Sequence, residues 1–256
     1  MKSAEELFSL KGKVALITGG SRGLGREMAL AFAKAGADVI ISSRKLEACE
    51  EVAKEVEALG QRAMAYACHA GRWEQIDGLV EAAYERFGKV DILVNNAGKS
   101  PLYESLVDVS EALWDSVLSL NLKGPFRLAA LVGDRMYKGD GGSIINVSSI
   151  AAVRPSSREV PYGAAKAGLN ALTLGLANTY GPKVRVNCIM PGPFLTDISK
   201  AWDLEEANER FKRTIALERA GNPEEIIGTA LYLASDASSY TNGAIIPVDG
   251  GIKNKG

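Results

Sequence analysis

The sequence predicts one α/β domain in which helices cover both faces of a seven-stranded parallel sheet, giving a three-layer, doubly wound sandwich. Short β-branched runs alternate with longer alanine-rich amphipathic segments from residue 13 onward, which is typical of βαβ units around a buried sheet. No linker rich in glycine, serine or proline and no internal repeat interrupts this alternation. With 256 residues and 46% hydrophobic content, the chain fits a single domain over residues 1–256.

Each strand is predicted from a β-branched run and each helix from apolar residues at helical spacing. The strands are Val14–Thr18, Asp38–Ser42, Arg62–Ala67, Ile92–Asn95, Ser143–Ser148, Val184–Ile189 and Ala244–Val248. The helices are Gly23–Ala35, Lys45–Leu59, Trp73–Phe87, Ser110–Tyr137, Tyr162–Tyr180 and Pro223–Ser235. The least regular stretch, residues 191–218, follows the sixth strand. Because long excursions in compact domains are usually lids or binding loops, we expect this stretch to cover a ligand at the carboxyl ends of the strands.

Composition excludes several functional classes. The 30 basic and 31 acidic residues give a net charge of −1 and are mixed along the chain, so no basic surface for nucleic acid is expected. The three cysteines, Cys49, Cys68 and Cys188, lack metal-type spacing and are expected to be reduced and buried, with no metal site. The first 13 residues lack the apolar core of a secretory signal, and no apolar run approaches the ~20 residues that span a bilayer. We therefore expect a cytoplasmic protein that binds no membrane.

A glycine-rich loop joins the first strand to the first predicted helix, with the sequence Thr18-Gly19-Gly20-Ser21-Arg22-Gly23-Leu24-Gly25. Glycines allow a tight turn and a close approach of the backbone to a pyrophosphate, whose charge the free N–H groups of a helix N-terminus can meet. The spacing of Gly19, Gly23 and Gly25 differs from the commoner G-x-G-x-x-G. The context, between a strand and a helix, predicts a dinucleotide-binding loop.

A tyrosine and a lysine lie one helical turn apart, at Tyr162 and Lys166, and Ser149 lies thirteen residues before the tyrosine. Positions i and i+4 share a helix face, and a neighbouring ammonium favours the phenolate, so the pair could act as an acid and base. Such a pair alone also fits a solvated helix face. The other motifs of the chain decide between these interpretations.

Taken together, the motifs resemble those of the short-chain dehydrogenase/reductase family, including its 3-oxoacyl reductase-like and carbonyl reductase-like members. The T-G-x-x-x-G-x-G loop, Asn95-Asn96-Ala97-Gly98 and the Ser149, Tyr162 and Lys166 set each match a family motif. Further matches are Asn121, Ile145-Asn146-Val147-Ser148-Ser149, Pro191-Gly192 and Val248-Asp249-Gly250-Gly251. The resemblance covers essentially the whole chain. It implies a Rossmann-like fold and hydride transfer between a nicotinamide and a carbonyl or secondary alcohol.

The resemblance also implies four catalytic roles. Tyr162 exchanges a proton with the substrate oxygen, and Lys166 lowers the pKa of that tyrosine and binds the nicotinamide ribose. Ser149, rather than Ser148, keeps the family offset and polarises the carbonyl, since adjacent residues on a strand face oppositely. Asn121 holds a water that connects Lys166 to solvent.

The cofactor is expected to be NADP(H), with NAD(H) the alternative. An acidic residue at the end of the second strand would bind the ribose 2′-hydroxyl of NAD, whereas arginine accepts a 2′-phosphate, and this chain has Ser42-Ser43-Arg44 there and Arg22 in the glycine loop. Arg44 could instead begin a solvated helix. The cofactor-binding residues implied by the resemblance are Gly19, Ser21, Arg22, Gly23, Leu24, Gly25, Ser43, Arg44, His69, Asn95, Ala97, Gly98, Tyr162, Lys166, Pro191, Gly192 and Thr196, with Asn96 and Gly98 shaping the floor of the cleft.

One position departs from the common family pattern. After the third strand, where an aspartate usually contacts the adenine, this chain has Cys68 followed by His69, its only histidine. A subset of carbonyl-reducing family members carries Cys-His here. His69 is therefore expected at the adenine, with a capping or packing role as the alternative.

Substrate and assembly are less determined. The resemblance implies a 3-oxoacyl thioester or another medium-sized ketone. The segment from Phe194-Leu195-Thr196-Asp197 through Trp202 to Phe211 supplies apolar and aromatic groups suited to a medium-sized apolar substrate. Sugar, steroid and polyol substrates stay open, as does a nucleotide-sensing protein without turnover. Small residues on the helix from Tyr162, among them Ala164, Gly168 and Gly175, permit close packing, either within the subunit or in a homodimer or homotetramer formed with the helix of Asn121.

Overall fold

A computed structural model describes residues 2–196 and 204–252 of the chain. It contains a seven-stranded sheet in the order β3-β2-β1-β4-β5-β6-β7, and every neighbouring pair is parallel. The strands are β1 (Val14–Thr18), β2 (Asp38–Ser43), β3 (Ala63–Ala67), β4 (Ile92–Asn95), β5 (Gly142–Val147), β6 (Val184–Pro191) and β7 (Ile245–Val248). The seven-stranded, Rossmann-like α/β fold expected from the sequence is confirmed.

The described helices lie on both faces of this sheet. They are α1 (Ala4–Phe8), α2 (Gly23–Lys34), α3 (Leu46–Ala58), α4 (Trp73–Phe87), α5 (Glu111–Leu118), α6 (Gly124–Lys138), α7 (Val160–Tyr180), α8 (Leu204–Thr214) and α9 (Ile227–Ala234). None of them is both long enough and apolar enough to cross a membrane.

Two apolar cores lie on opposite faces of the sheet, and β1 contributes to both. Ala15 and Ile17 pack with Phe32 of α2 on one face, whereas Val14 and Leu16 pack on the other face in the core that includes Leu128 of α6. Because successive strand side chains point to opposite faces, a strand buried on both faces is apolar throughout. This explains the uninterrupted apolar run of β1.

The sheet changes direction at β1, which lies between β2 and β4. The chain moves outward from β1 to β3 on one side and from β4 to β7 on the other. Ligands of open α/β sheets bind in the crevice at such a switch point, beyond the carboxyl ends of the strands. The loops after β1 and β4 therefore meet where a ligand is expected.

Three parts of the chain differ from the sequence-based expectation. The helix expected over Ser110–Tyr137 is divided, because a π-helical turn over Ser119–Lys123 separates α5 from α6. The helix α1 was not expected; a reciprocal capping box between Ser3 and Glu6 stabilises its five residues.

The third difference is α8, which lies within the stretch expected to be irregular. Its exposed face is charged, and Ala207 and Phe211 are buried with Ile215 and Ala220 in a small separate cluster. Within residues 205–214, whose burial the structure describes, only two side chains are buried, so the pattern was too sparse to identify from sequence.

Candidate active site

The glycine loop after β1 has a conformation that requires glycine. Gly19 and Gly23 have φ angles of 64° and 52°, which L-residues with side chains rarely adopt. A Cβ on Gly25 would lie 2.2 Å from the carbonyl oxygen of Gly19. The loop therefore turns tightly and ends directly in α2, leaving backbone N–H groups at the helix N-terminus.

Hydrogen bonds of Asn96 connect this loop to the segment after β4. Its Nδ2 donates to the carbonyl oxygens of Thr18 and Gly19, at 3.0 and 3.1 Å. In return, Thr18 Oγ1 accepts hydrogen bonds from the backbone N–H groups of Asn96 and Ala97, at 3.1 and 3.2 Å. Asn96 thus joins the end of β1 and the glycine loop to the segment after β4.

The end of β2 lies against the glycine loop. The Gly20 N–H donates to the Ser42 carbonyl oxygen at 3.2 Å. Arg22 and Arg44 are both exposed, and among the residues that the structure describes neither forms an ion pair. The Ser43 side chain forms a hydrogen bond within the protein, because its Oγ lies 3.1 Å from Cys49 Sγ. Arg22 and Arg44 thus occupy the positions at which this type of fold distinguishes a ribose 2′-phosphate from a 2′-hydroxyl, and neither position carries a carboxylate.

Other predicted cofactor residues lie around the same loop. Ser21 is partly buried, and Leu24 packs against the core under the sheet. Thr196 lies over the loop, since its Cγ2 is 3.5 Å from where a Cβ on Gly23 would be. Gly192, after Pro191 at the end of β6, donates its N–H to the Val248 carbonyl at 3.0 Å. Of the expected covering segment, Asp197 and Trp202 lie outside the described residues.

His69 follows β3 and is held by local hydrogen bonds. Its Nδ1 accepts the Gly71 N–H at 3.1 Å, and its own N–H donates to Gln75 Oε1 at 2.7 Å. Burial lowers the pKa of the imidazole, and the charges of Arg72 and Arg44 lower it further. The lowered pKa favours the neutral imidazole of His69. Because Nδ1 accepts a hydrogen bond, Nε2 carries the proton of the neutral ring.

Asn95 takes a position different from its neighbours in the same motif. Its side chain is buried, and its Nδ2 donates to Asn146 Oδ1 at 2.9 Å, while Asn146 Nδ2 donates to Thr173 Oγ1 at 2.9 Å. Among the described residues, Asn95 Oδ1 has no hydrogen-bond partner. The side chain of Asn95, which was expected among the cofactor-binding residues, is therefore part of a polar chain that connects β4, β5 and α7.

Ser149 and Tyr162 meet after β5. The Ser149 side chain lies beside the Tyr162 hydroxyl and favours its phenolate, and Ser149 Oγ accepts the Ala151 N–H at 3.1 Å. Ser148 is buried and donates instead to the carbonyl oxygen of Lys166 at 3.2 Å. The structure thus places Ser149, and not Ser148, beside the tyrosine.

Lys166 lies below Tyr162, one turn further along α7. It is 3% exposed, and its Nζ donates to the Val147 carbonyl oxygen at 2.7 Å and lies 5.7 Å from the centre of the Tyr162 ring. Burial lowers the pKa of Lys166 to about 8 and raises the pKa of Tyr162 to about 12. For the tyrosine this is opposite to the expected direction, because desolvation of the phenolate outweighs the other interactions in this structure.

Asn121 reaches the same place from the π-helical turn. Its side chain is fully buried, with Nδ2 donating to the carbonyl oxygens of Lys99 and Val117, both at 2.9 Å. A Cβ on Gly98 would lie 2.8 Å from Asn121 Oδ1 and 3.5 Å from Lys166 Nζ. Gly98 therefore lies between the amide and the ammonium, and the four predicted catalytic residues occupy one cluster.

The cluster and the glycine loop both follow the carboxyl ends of neighbouring strands, and the residues of the loop fit the pyrophosphate of a nicotinamide dinucleotide. The turn at Gly19 and Gly25 leaves no room for side chains, as a backbone cradle for a pyrophosphate requires. All three cysteines are free and buried. Among residues 2–196 and 204–252, no group of three or more potential metal ligands lies together.

Sequence and structure comparisons agree on the relatives of this chain. The family described as Enoyl-(Acyl carrier protein) reductase matches residues 19–253. A 2-dehydro-3-deoxy-D-gluconate 5-dehydrogenase from Pseudoalteromonas atlantica is 39% identical over 96% of this chain and 98% of its own length.

Two solved structures have the same fold over nearly the whole chain. A 3-oxoacyl (acyl-carrier-protein) reductase from Agrobacterium tumefaciens with NADP bound is 32% identical, with a TM-score of 0.92 and 97% of each chain covered. A 7α-hydroxysteroid dehydrogenase complexed with NADH and 7-oxo glycochenodeoxycholic acid is 34% identical, with a TM-score of 0.93 and 100% of each chain covered. The chain belongs to the short-chain dehydrogenase/reductase family of oxidoreductases.

Proposed function

We infer that the protein is an NADP(H)-dependent oxidoreductase that interconverts a carbonyl compound and a secondary alcohol. The observation that carries this inference is the grouping of Tyr162 with Ser149 and Lys166, together with Asn121, whose amide lies across Gly98 from the Lys166 ammonium. When bound, the nicotinamide supplies or accepts the hydride. The residues of the chain bind the substrate oxygen and exchange its proton.

Tyr162 is the proposed general acid. Its raised pKa keeps the phenol protonated at neutral pH, which is the form needed to give a proton to a carbonyl oxygen. Ser149, which lies beside the same hydroxyl, donates to the substrate oxygen and stabilises the developing negative charge. Lys166 lies next to Tyr162, and Asn121 would hold a water that connects Lys166 to solvent. Through this connection the tyrosine would regain its proton.

The preference for NADP(H) over NAD(H) rests on Arg22 and Arg44. Both are exposed, and neither is occupied by an acidic partner among the described residues. Relatives with this fold bind either cofactor, since one structure contains NADP and another NADH. The two arginines therefore carry the proposal, because a guanidinium binds a 2′-phosphate in two hydrogen bonds.

The proposed substrates are 3-oxoacyl thioesters or other medium-sized ketones, with a sugar, steroid or polyol as the second candidate. The printed names of the relatives cover a sugar acid, an acyl thioester and a steroid. Leu195 and Leu217 are exposed apolar side chains of the covering segment and would contact an apolar body.

The proposed assembly is a homodimer or homotetramer, and the proposed location is the cytoplasm. The helices α5 and α7 bear half-exposed apolar side chains, Trp114 and Leu174, which would pack against a second copy in a homodimer or homotetramer. Light scattering after size exclusion tests this, and a monomeric mass would refute it. Three free cysteines fit the reducing cytoplasm.

The Tyr162→Phe variant tests the proposed function. We expect its carbonyl-reducing kcat to fall roughly 100- to 10,000-fold, the usual effect of losing a general acid, while NADPH binding, measured by fluorescence, is kept. Tyr240→Phe, at a fully exposed tyrosine, is the matched control and should retain full activity. Near-normal turnover by a folded Tyr162→Phe protein would refute the mechanism. Wild-type binding of NADPH without oxidation by any ketone would favour a nucleotide-sensing protein.

A further inference from the structure

A cavity of about 490 Å³ adjoins the segment that connects Ser149 to Tyr162. Leu102, Tyr103 and Glu104 line it from the loop after β4, and Arg158 lines it from the loop after β5. Both loops leave the carboxyl ends of adjacent strands. The cavity thus opens at the edge of the sheet where the catalytic cluster lies.

Tyr103 connects the cavity to the catalytic helix. Its hydroxyl donates to the Ser157 carbonyl oxygen at 3.0 Å and accepts the Val160 N–H at 2.8 Å, two residues before Tyr162. The side chain is only 9% exposed. Because its hydroxyl is satisfied by the backbone, Tyr103 presents its ring as a fixed apolar wall.

Arg158 and Glu104 give the cavity its charge. Both side chains are exposed, and within the described part of the chain neither forms an ion pair, with each other or with another residue. The guanidinium cannot lose its proton and offers a planar pair of donors that matches a carboxylate. The ionised carboxylate of Glu104 carries no proton to donate to an anion, and its negative charge repels an anion.

We propose that Arg158 is a specificity-determining residue that binds a carboxylate of the substrate, several bonds away from the carbonyl group that is reduced. The substrate class is therefore an oxo acid with an apolar or partly apolar body, which lies along Tyr103 and Leu102. Glu104 weakens the attraction and restricts the anion to the Arg158 side of the cavity. This inference rests on the proposed carbonyl reduction.

The test compares oxo acids with their uncharged methyl esters. Steady-state kinetics with NADPH are measured for 4-oxopentanoate, 5-oxohexanoate and 7-oxooctanoate and for the corresponding esters. Wild-type enzyme is expected to favour the acid of at least one pair in kcat/KM. A charged hydrogen bond contributes enough that Arg158→Gln should raise the KM for that acid roughly 10- to 100-fold. The kcat and the values for the ester should stay within about two-fold, as expected for lost ground-state binding.

Two further variants separate recognition from structure. Glu104→Gln should lower the KM for the acid and leave the ester unchanged, because it removes a repulsive charge. Arg86→Gln, at an exposed arginine near the end of α4, is the matched control and should behave as wild type.

The outcomes also distinguish the inference from the proposed function. If the ketone esters are reduced but no acid is favoured, or if Arg158→Gln affects acid and ester equally, the inference is wrong while carbonyl reduction stands. If neither acids nor esters are reduced, the proposed function itself fails.

Discussion

Lys166 Nζ donates a hydrogen bond of 2.7 Å to the carbonyl oxygen of Val147, the last residue of β5. This bond fixes the buried ammonium of α7 to the strand end that leads into Ser149. Since the lysine pays a desolvation penalty that one hydrogen bond offsets only in part, its pKa falls to about 8.

The lowered pKa of Lys166 predicts a pH dependence of stability. Between pH 8 and pH 10.5 the unfolded chain holds this proton and the folded chain releases it, so the free energy of unfolding contributed by this group rises with pH. The full rise corresponds to roughly 3 kcal/mol. Urea denaturation of wild type and Lys166→Met at pH 7, 8, 9 and 10 measures it. The wild type should gain stability relative to the variant as pH rises, and parallel profiles would contradict the assignment.

Replacement of Gly98 should damage catalysis more than folding. The Cβ of Gly98→Ala would lie 2.8 Å from Asn121 Oδ1 and 3.5 Å from Lys166 Nζ, so the amide must move away from the ammonium. We expect kcat to fall at least about ten-fold, in line with the sensitivity of catalysis to small displacements.

Gly228→Ala provides the matched control for Gly98. Gly228 lies within α9, and a Cβ there would meet nothing within 4 Å. Its substitution should leave kcat unchanged and raise the free energy of unfolding by about 0.5–1 kcal/mol. Equal activities of the two variants would show that the space at Gly98 is not needed.

Arg44→Asp should change the cofactor preference. The substitution removes a donor for a 2′-phosphate and supplies an acceptor for a 2′-hydroxyl. We expect the ratio of kcat/KM for NADPH to that for NADH to fall roughly 10- to 100-fold. Lys54→Asp, on the exposed face of α3, controls for the change in net charge. An NADPH preference left intact in Arg44→Asp would exclude Arg44 as its origin.

Asn146→Leu should destabilise the fold. Asn146 accepts from Asn95 and donates to Thr173 in a buried chain of hydrogen bonds. Its loss removes one hydrogen bond from Asn95 Nδ2 and one from Thr173 Oγ1, and an unsatisfied buried polar group costs about 1–3 kcal/mol. Thermal and urea denaturation measure the effect. Asn208→Leu, at an exposed position of α8, should change stability by less than about 0.5 kcal/mol, and an equal effect of both substitutions would contradict the role of the buried chain.

The sequence alone predicted the order of the strands along the chain and the motifs of the cleft. Uninterrupted apolar runs identify strands buried on both faces, as in β1, and the turn at Gly19–Gly25 requires glycine whatever surrounds it. The choice of Ser149 over Ser148 came from the spacing that the family resemblance implies, and the alternation of side chains along a strand agrees with it. These features depend on residues close together in sequence.

Contacts between distant segments were decided by the tertiary structure. The π-helical turn that carries Asn121, the buried orientation of Asn95 and the raised pKa of Tyr162 each depend on burial by other elements. The same holds for Arg158, which shares a cavity with Tyr103 only because β4 and β5 are neighbours in the sheet. The local periodicity of the sequence specifies the helices and strands. Packing between distant segments sets which side chains lose water and which hydrogen bonds they form. Desolvation and hydrogen bonding in turn determine the charge and direction of each side chain in the site.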